Sequence, residues 1–212
     1  DKPFQIGLLL GGPAQGVRVG LEQVERVIAG LLEACDAKDA QLLVSTSRRT
    51  PSKIEEKLQE LLKDNPRCRL LTLVNRGDPG GLASTQEAVD CILGVAPVCV
   101  VSGDSISMLS EAMNRGKTVV SFYPERSGFL VRPPKYYRFL DQLKRQERVA
   151  VTEPSQVGQA VMSALSDVIA SPVGAKQSLR DGEIASVVPS GLPRNDNGAP
   201  SDPVVEFLTS WL

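Results

Sequence analysis

Short apolar runs alternate with amphipathic helical periods along the first 170 residues. Phe4 to Leu10 is an apolar run of strand length that stops at Gly11-Gly12-Pro13, a sequence no helix tolerates. A helix is predicted from about Val19 to Ala34, with Leu21, Val24, Ile28, Leu31 and Cys35 on one face. Gln41 to Thr46 is the second strand. The helix after it carries Ile54, Leu58, Leu61 and Leu62 inward, with Thr50 or Ser52 as its cap and Pro51 in its first turn. Cys68 to Val74 is the third strand, and a glycine-rich loop (Gly77, Gly80, Gly81) leads to a helix near Thr85 to Leu93. Pro97 to Ser102 is the fourth strand. A helix from Ser105 to Asn114 follows, closed by Gly116 as a left-handed cap. Thr118 to Tyr123, Lys135 to Lys144, Arg148 to Val151 and Pro154 to Ile169 complete the series as strand, helix, strand and helix.

Strands that are apolar without alternation, separated by helices, indicate a parallel sheet covered on both faces. With right-handed crossovers this is a doubly wound, Rossmann-like α/β domain spanning residues 1–170. Residues 171–202, rich in Pro, Gly, Ser and Asp, read as a linker or irregular tail. Residues 203–212 recover a helical period. Val204, Leu208 and Trp211 share a face, so a terminal docking helix is expected. The chain opens with Asp1 and runs almost at once into a strand, as a fragment cut from something longer or one half of a two-domain protein would.

Composition narrows the chemistry. The 24 Lys+Arg against 25 Asp+Glu give a net charge of −1. A dedicated nucleic-acid binder or a polybasic membrane anchor would need a basic surplus. No histidine is present, which excludes a Ser-His-Asp triad, a Cys-His pair or a histidine-held metal within the chain. Cys35, Cys68, Cys91 and Cys99 form no CxxC pair. Cys68 and Cys99 sit in apolar runs and read as core residues of a protein in a reducing compartment. No metal or cofactor is expected.

Parallel sheets bind ligands beyond the carboxyl ends of their strands, so the loops there hold the candidate residues. Gly11, Gly12 and Gly16, followed by Arg18, would let a backbone approach a phosphate; the plain alternative is a tight turn. Ser47, Arg48, Arg49 and Thr50 offer hydroxyls and guanidinium forks to a phosphate or carboxylate, or else form a solvated turn. The third loop runs from Ser102 through Gly103 and Asp104 to Ser105, Ser107, Met108 and Glu111. On a helix, Ile106, Leu109 and Met113 share one face, and Asp104, Ser107 and Glu111 lie about 160° away. Asp104 or Ser105 can cap the first turn, the remaining N–H groups suit an anion, and Glu111 suits a ribose diol. The plain alternative is an ordinary cap with a solvated glutamate. A fourth stretch, Pro124 to Gly128 with Lys135 to Phe139, could form a lid or an aromatic contact over a base. Core aromatics with surface charge is the simpler reading.

Ser45 to Pro51, Val101 to Ala112 and Gly116-Lys117, with Gly11-Gly12-Pro13 and Lys135-Tyr136-Tyr137-Arg138-Phe139, resemble the elongated-mitochondria fission protein family. The resemblance covers roughly Ile6 to Leu143. The family's Asn-Pro-Tyr-like motif is replaced here by Asn75 to Gly81, without a tyrosine. The family is similar to GT-B glycosyltransferases, in which two Rossmann-like domains face each other and the C-terminal one holds a nucleotide-sugar. The resemblance therefore implies a metal-independent donor-binding half whose N-terminal domain is missing. A nucleotide-sugar would be its ligand, and the catalytic base would come from the absent half. It implies a cytoplasmic location, with contact at the periphery of the inner membrane through the missing half. A non-catalytic scaffold that recruits protein partners, as in fission, is the alternative it leaves open.

Overall fold

The computed structural model describes residues 3–76, 85–127 and 134–170. Internal contacts divide the chain into Asp1–Asp167 and Val168–Leu212. Of the second unit only 168–170 are described, so the expected linker, terminal helix and Trp211 lie outside the described residues. So do Gly77 to Gly81 and Gly128.

The sheet has six parallel strands. They are β1 (Phe4–Leu9), β3 (Ala40–Ser45), β4 (Cys68–Thr72), β5 (Val98–Ser102), β6 (Thr118–Phe122) and β8 (Ala150–Thr152). Their order is β4-β3-β1-β5-β6-β8. The chain builds outward from β1 to β4, crosses back, and builds outward again from β5. This is the doubly wound order of dinucleotide-binding folds, with its direction reversing between β1 and β5. The helices are α1 (Leu21–Lys38), α2 (Ser52–Leu62), α3 (Thr85–Val95), α4 (Ile106–Asn114), α5 (Lys135–Arg145) and α6 (Val157–Ala170), the last preceded by a 3₁₀ turn at Pro154–Gln156. Right-handed crossovers place α1 and α2 on one face, in mutual contact, and α3 and α4 on the other.

The central strands are apolar because both their faces are covered. Ile6, Leu8, Leu9, Val98, Val100 and Val101 have no solvent exposure, whereas edge strand β4 is mostly half-exposed. Gly158 of α6 crosses Gly30 of α1 so tightly that a Cβ on Gly158 would come within 2.7 Å of the Gly30 carbonyl carbon. Gly116 has φ 69°, its N–H donates to Met113 O (2.9 Å), and Lys117 N–H donates to Ala112 O (3.1 Å), a Schellman closure of α4.

The structure departs from the sequence pattern at several points. The helix expected from Val19 starts at Leu21, because β2 (Val17–Arg18) first pairs antiparallel with β7 (Glu125–Arg126). Leu21, in the first turn, is 40% exposed rather than inward, and Leu61 is half-buried. Neither Thr50 nor Ser52 caps α2. Pro51 holds that position, without a side-chain bond. Cys35 and Cys99 are buried, Cys68 is half-buried and Cys91 is exposed, all as free thiols.

Candidate functional site

The loops after β1, β3 and β5 meet at the point where strand order reverses. Gly11 N–H donates to Ser102 Oγ at 2.7 Å, and Ser102 Oγ–H donates to Asp104 Oδ1 at 2.7 Å. From the other side Thr50 Oγ1 donates to Gly11 O at 2.5 Å, with Leu10 O at 3.3 Å, and accepts from Ser47 N–H at 2.9 Å. Arg49 Nη1 donates to Pro13 O at 3.2 Å. The glycines are needed for this convergence. A Cβ on Gly11 would lie 2.5 Å from Asp104 Oδ1, and one on Gly12 would lie 2.6 Å from Arg49 Cβ. Gly103 packs against β6 and α5, where a Cβ would meet Leu140 Cδ1 at 2.5 Å and Phe122 O at 2.6 Å.

Asp104 has no solvent exposure, and its Oδ2 has no hydrogen-bond partner among the described residues. Burial pushes its carboxyl up to about 6, against the lowering effect of the Ser102 hydrogen bond and of the Arg49 charge. The helical-wheel placement of Asp104 on one face with Ser107 and Glu111 does not describe its position. Asp104 precedes the N-cap Ser105 (φ −123°, ψ 86°), where helical spacing does not apply. Neither Asp104 nor Ser105 caps α4 through its side chain. Tyr136 of α5 lies within electrostatic reach of the same cluster: burial raises its phenol, the Arg49 charge lowers it and the Asp104 charge raises it.

The structure thus brings together Gly11, Gly12, Arg49, Thr50, Asp104 and Ser105 from the sequence-derived set, with Ser47 in the same turn. Gly16 (φ 79°) lies in the turn closed by the Ala14–Val17 bridge, just before β2, and Arg18 pairs with Glu125 at 3.3 Å. Arg48 and Ser107 are exposed, and Met108 is half-buried. Glu111 Oε1 accepts from Arg115 and from Gln86 of α3, each at 3.3 Å, and no contact among the described residues joins Glu111 to Arg48.

Ser102 was read only as the start of the third loop and Tyr136 only as part of the fourth stretch; the bridge that Ser102 makes between loops was not anticipated. Glu55 was also missed. It is fully buried and accepts from Thr46 Oγ1 (2.6 Å) and from Asn75 N–H (3.2 Å) and Nδ2 (3.3 Å), tying α2 to the loop after β4. Its spacing from Leu58 and Leu62 puts it on the apolar face of α2, which was the available signal.

The aromatics of the fourth stretch pack on different partners, Tyr137 against Tyr123 and Tyr136 under Lys135. Tyr123 and Tyr137 stack at 5.3 Å, Arg126 lies 5.0 Å over the Tyr137 ring, and Phe139 is buried. Beside them an open cleft of about 340 Å³ is lined by Gln23, Tyr123, Pro124, Glu125, Tyr137, Asp141 and Glu153. Among the described residues no group of His, Cys, Asp or Glu could hold a metal ion, and no helix is long and apolar enough to cross a membrane.

No curated protein matches the sequence. A putative UDP-N-acetylglucosamine 2-epimerase from Listeria monocytogenes has a similar structure, with a TM-score of 0.50 and 13% identity over 77% of this chain and 37% of that one. The UDP-GlcNAc 2-epimerase of Methanocaldococcus jannaschii, solved with UDP-GlcNAc and UDP, gives 0.49 and 13% over 87% and 46%. The chain spans less than half the length of either structure. The first likeness agrees with the Rossmann-like fold described above. The family model described as mitochondrial fission ELM1 matches residues 2–171, and since that stretch carries the whole sheet and the three converging loops, the chain belongs to this family.

Proposed function

We propose that this chain is the nucleotide-sugar-binding half of a GT-B-like glycosyltransferase that works without a metal. The observation that carries the reading is the convergence at the strand-order reversal of Arg49, the start of α4 without a side-chain cap, and buried Asp104. Fixed positive groups at that place suit the diphosphate of a leaving nucleotide. Arg49, with Arg48 beside it, would neutralise the diphosphate, and the first-turn N–H groups of α4 would bind its oxygens. Glu111 would accept ribose hydroxyls. Both of its hydrogen bonds among the described residues go to Oε1, which leaves Oε2 for that role. The acceptor and the catalytic base would come from a second Rossmann-like domain. Residues 171–212 would serve as the linker and a terminal helix docking on that domain.

Isothermal titration of the full-length protein, in the presence of a chelator, against UDP-glucose, GDP-mannose, ADP-glucose and CMP-sialic acid tests this. Saturable binding of one of them, weakened at least tenfold by Arg49→Ala, is the expected result. Heats indistinguishable from dilution for all four would refute it.

One observation favours the scaffold alternative. The Gly11 N–H is already donated to Ser102, and the space beside Gly12 is filled by Arg49, so the first loop presents less free backbone to a phosphate than its glycines suggest. An Arg49→Ala, Glu111→Ala double variant that keeps full cellular function and a stoichiometric protein partner would select that reading.

A further inference from the structure

A carboxyl group without solvent contact usually has both oxygens hydrogen-bonded and its charge paired. Asp104 meets only part of this. Its Oδ1 accepts from Ser102 Oγ and lies against Gly11. Its Oδ2 has no partner among the described residues, and the residue is 0% exposed. The titratable groups that face it are Arg49, from the loop after β3, and Tyr136, from α5; Ser102 faces it as a hydroxyl. Arg49 is exposed, and its Nη1 is held by Pro13 O rather than by the carboxyl.

Protonation changes what Oδ2 requires. An ionised Oδ2 needs a donor, while a protonated one is itself a donor and needs an acceptor. Asp104 stands one residue before the N-cap of α4, a nine-residue helix with no side-chain cap. The neighbouring groups include two kinds of pure donor, the first-turn N–H groups and the Arg49 guanidinium. A protonated Oδ2 would add one more. A set this rich in donors fits a ligand that offers several acceptor oxygens and no hydrogens, which is a phosphate diester or diphosphate.

We propose that Asp104 is the proton-linked member of the phosphate site at the start of α4. In the bound state its carboxyl is protonated and donates from Oδ2 to a phosphate oxygen that Arg49 and the first-turn amides also hold. The proton comes from solvent and stays on Asp104 until the ligand leaves, so no covalent bond to the ligand forms or breaks. The inference rests on the nucleotide-sugar reading and adds to it that binding takes up a proton. Burial prepares the group, since it already pushes the carboxyl up to about 6 in the free protein. An anion brought beside it raises the carboxyl further.

The test is isothermal titration of the full-length protein with UDP-glucose, GDP-mannose, ADP-glucose and CMP-sialic acid from about pH 6 to about pH 8, in buffers of different ionisation enthalpy. The phosphates of these probes are diesters that do not titrate in that range, so any slope belongs to the protein. Affinity is expected to tighten about tenfold for each unit the pH falls toward 6, with uptake of nearly one proton per ligand. Asp104→Asn places an amide where the acid stood. It should bind at every pH with a flat profile and no proton uptake, while Arg49→Gln should bind more weakly and keep the slope. If Asp104→Asn does not fold, the wild-type slope and proton uptake decide alone. Binding with a flat wild-type profile, or a slope that survives in folded Asp104→Asn, overturns this inference and leaves the nucleotide-sugar reading intact. Absence of binding at every pH overturns both.

Discussion

Replacing Thr50 by valine removes one oxygen and leaves the shape of the side chain almost unchanged, so it isolates what that oxygen does. Thr50 is 3% exposed. Its hydroxyl donates to Gly11 O (2.5 Å) and accepts from Ser47 N–H (2.9 Å), joining the loop after β3 to the loop after β1. Valine leaves both groups without this partner. A buried polar group left unpaired costs about 1–3 kcal/mol. The Ser47 amide belongs to a half-buried residue that water can reach in part, so the total should be about 2–4 kcal/mol. For a unit the size of Asp1–Asp167 each kcal/mol corresponds to about 2–4 °C, giving a fall of about 5–15 °C in Tm. Thr50→Ser keeps the hydroxyl and loses only a methyl group, at about 1 kcal/mol. Urea and thermal unfolding followed by circular dichroism would separate the two variants. Equal stability of the valine and serine variants would refute the claim that the hydroxyl ties the loops together.

Gly158→Ala should lose about 1–3 kcal/mol, because its Cβ would meet the backbone of Gly30, which cannot move aside alone. Gly30→Ala, whose Cβ would stand 3.1 Å from Gly158 N, should be milder, since alanine's helix propensity offsets about 1 kcal/mol; thermal melts check the ranking. Glu55→Ala should cost about 3–5 kcal/mol in urea unfolding, because Thr46 Oγ1 and Asn75 N–H lose their buried acceptor. Glu55→Gln, which retains an acceptor oxygen, should cost about half as much. Asp104 sets a pH window for stability. Its carboxyl stands at about 6 when folded, against an ordinary 3.8, so the folded state binds the proton more tightly. Its contribution is fully present below about pH 4 and is lost as pH rises through about 6, by about 3 kcal/mol in total. Urea unfolding across that range should show wild-type stability falling relative to Asp104→Asn as pH rises.

What the sequence made legible was what repeats or is purely local. β1 and β5 are covered on both faces, so Ile6–Leu10 and Val98–Val101 are unbroken apolar runs that announce themselves. Gly116 closes α4 where a left-handed residue is needed, a requirement visible in the residue itself. The β2–β7 ribbon was not legible. It joins Arg18 to Glu125 across 107 positions by two-residue strands, too short to carry any period. Strand order was hidden for a related reason, because the crossing from β4 to β5 is a property of the assembled sheet. Arg49 and Asp104 were candidates by residue type and by their place after strands, but their environments were not legible. Asp104 is buried against Gly11, which comes from the loop after β1, and Thr50 serves that same loop rather than the helix after it.

The central claim is that a nucleotide diphosphate is held where β1 and β5 diverge. Nuclear magnetic resonance tests it most directly, by following the backbone amides of Ile106, Ser107 and Met108 and the Nε–H of Arg49 as UDP-glucose, GDP-mannose, ADP-glucose and CMP-sialic acid are added in turn. One ligand should shift these resonances together, along with Gly11, in a saturable way. Shifts confined to the cleft of Gln23, Tyr123, Asp141 and Glu153, with the start of α4 silent, would contradict it.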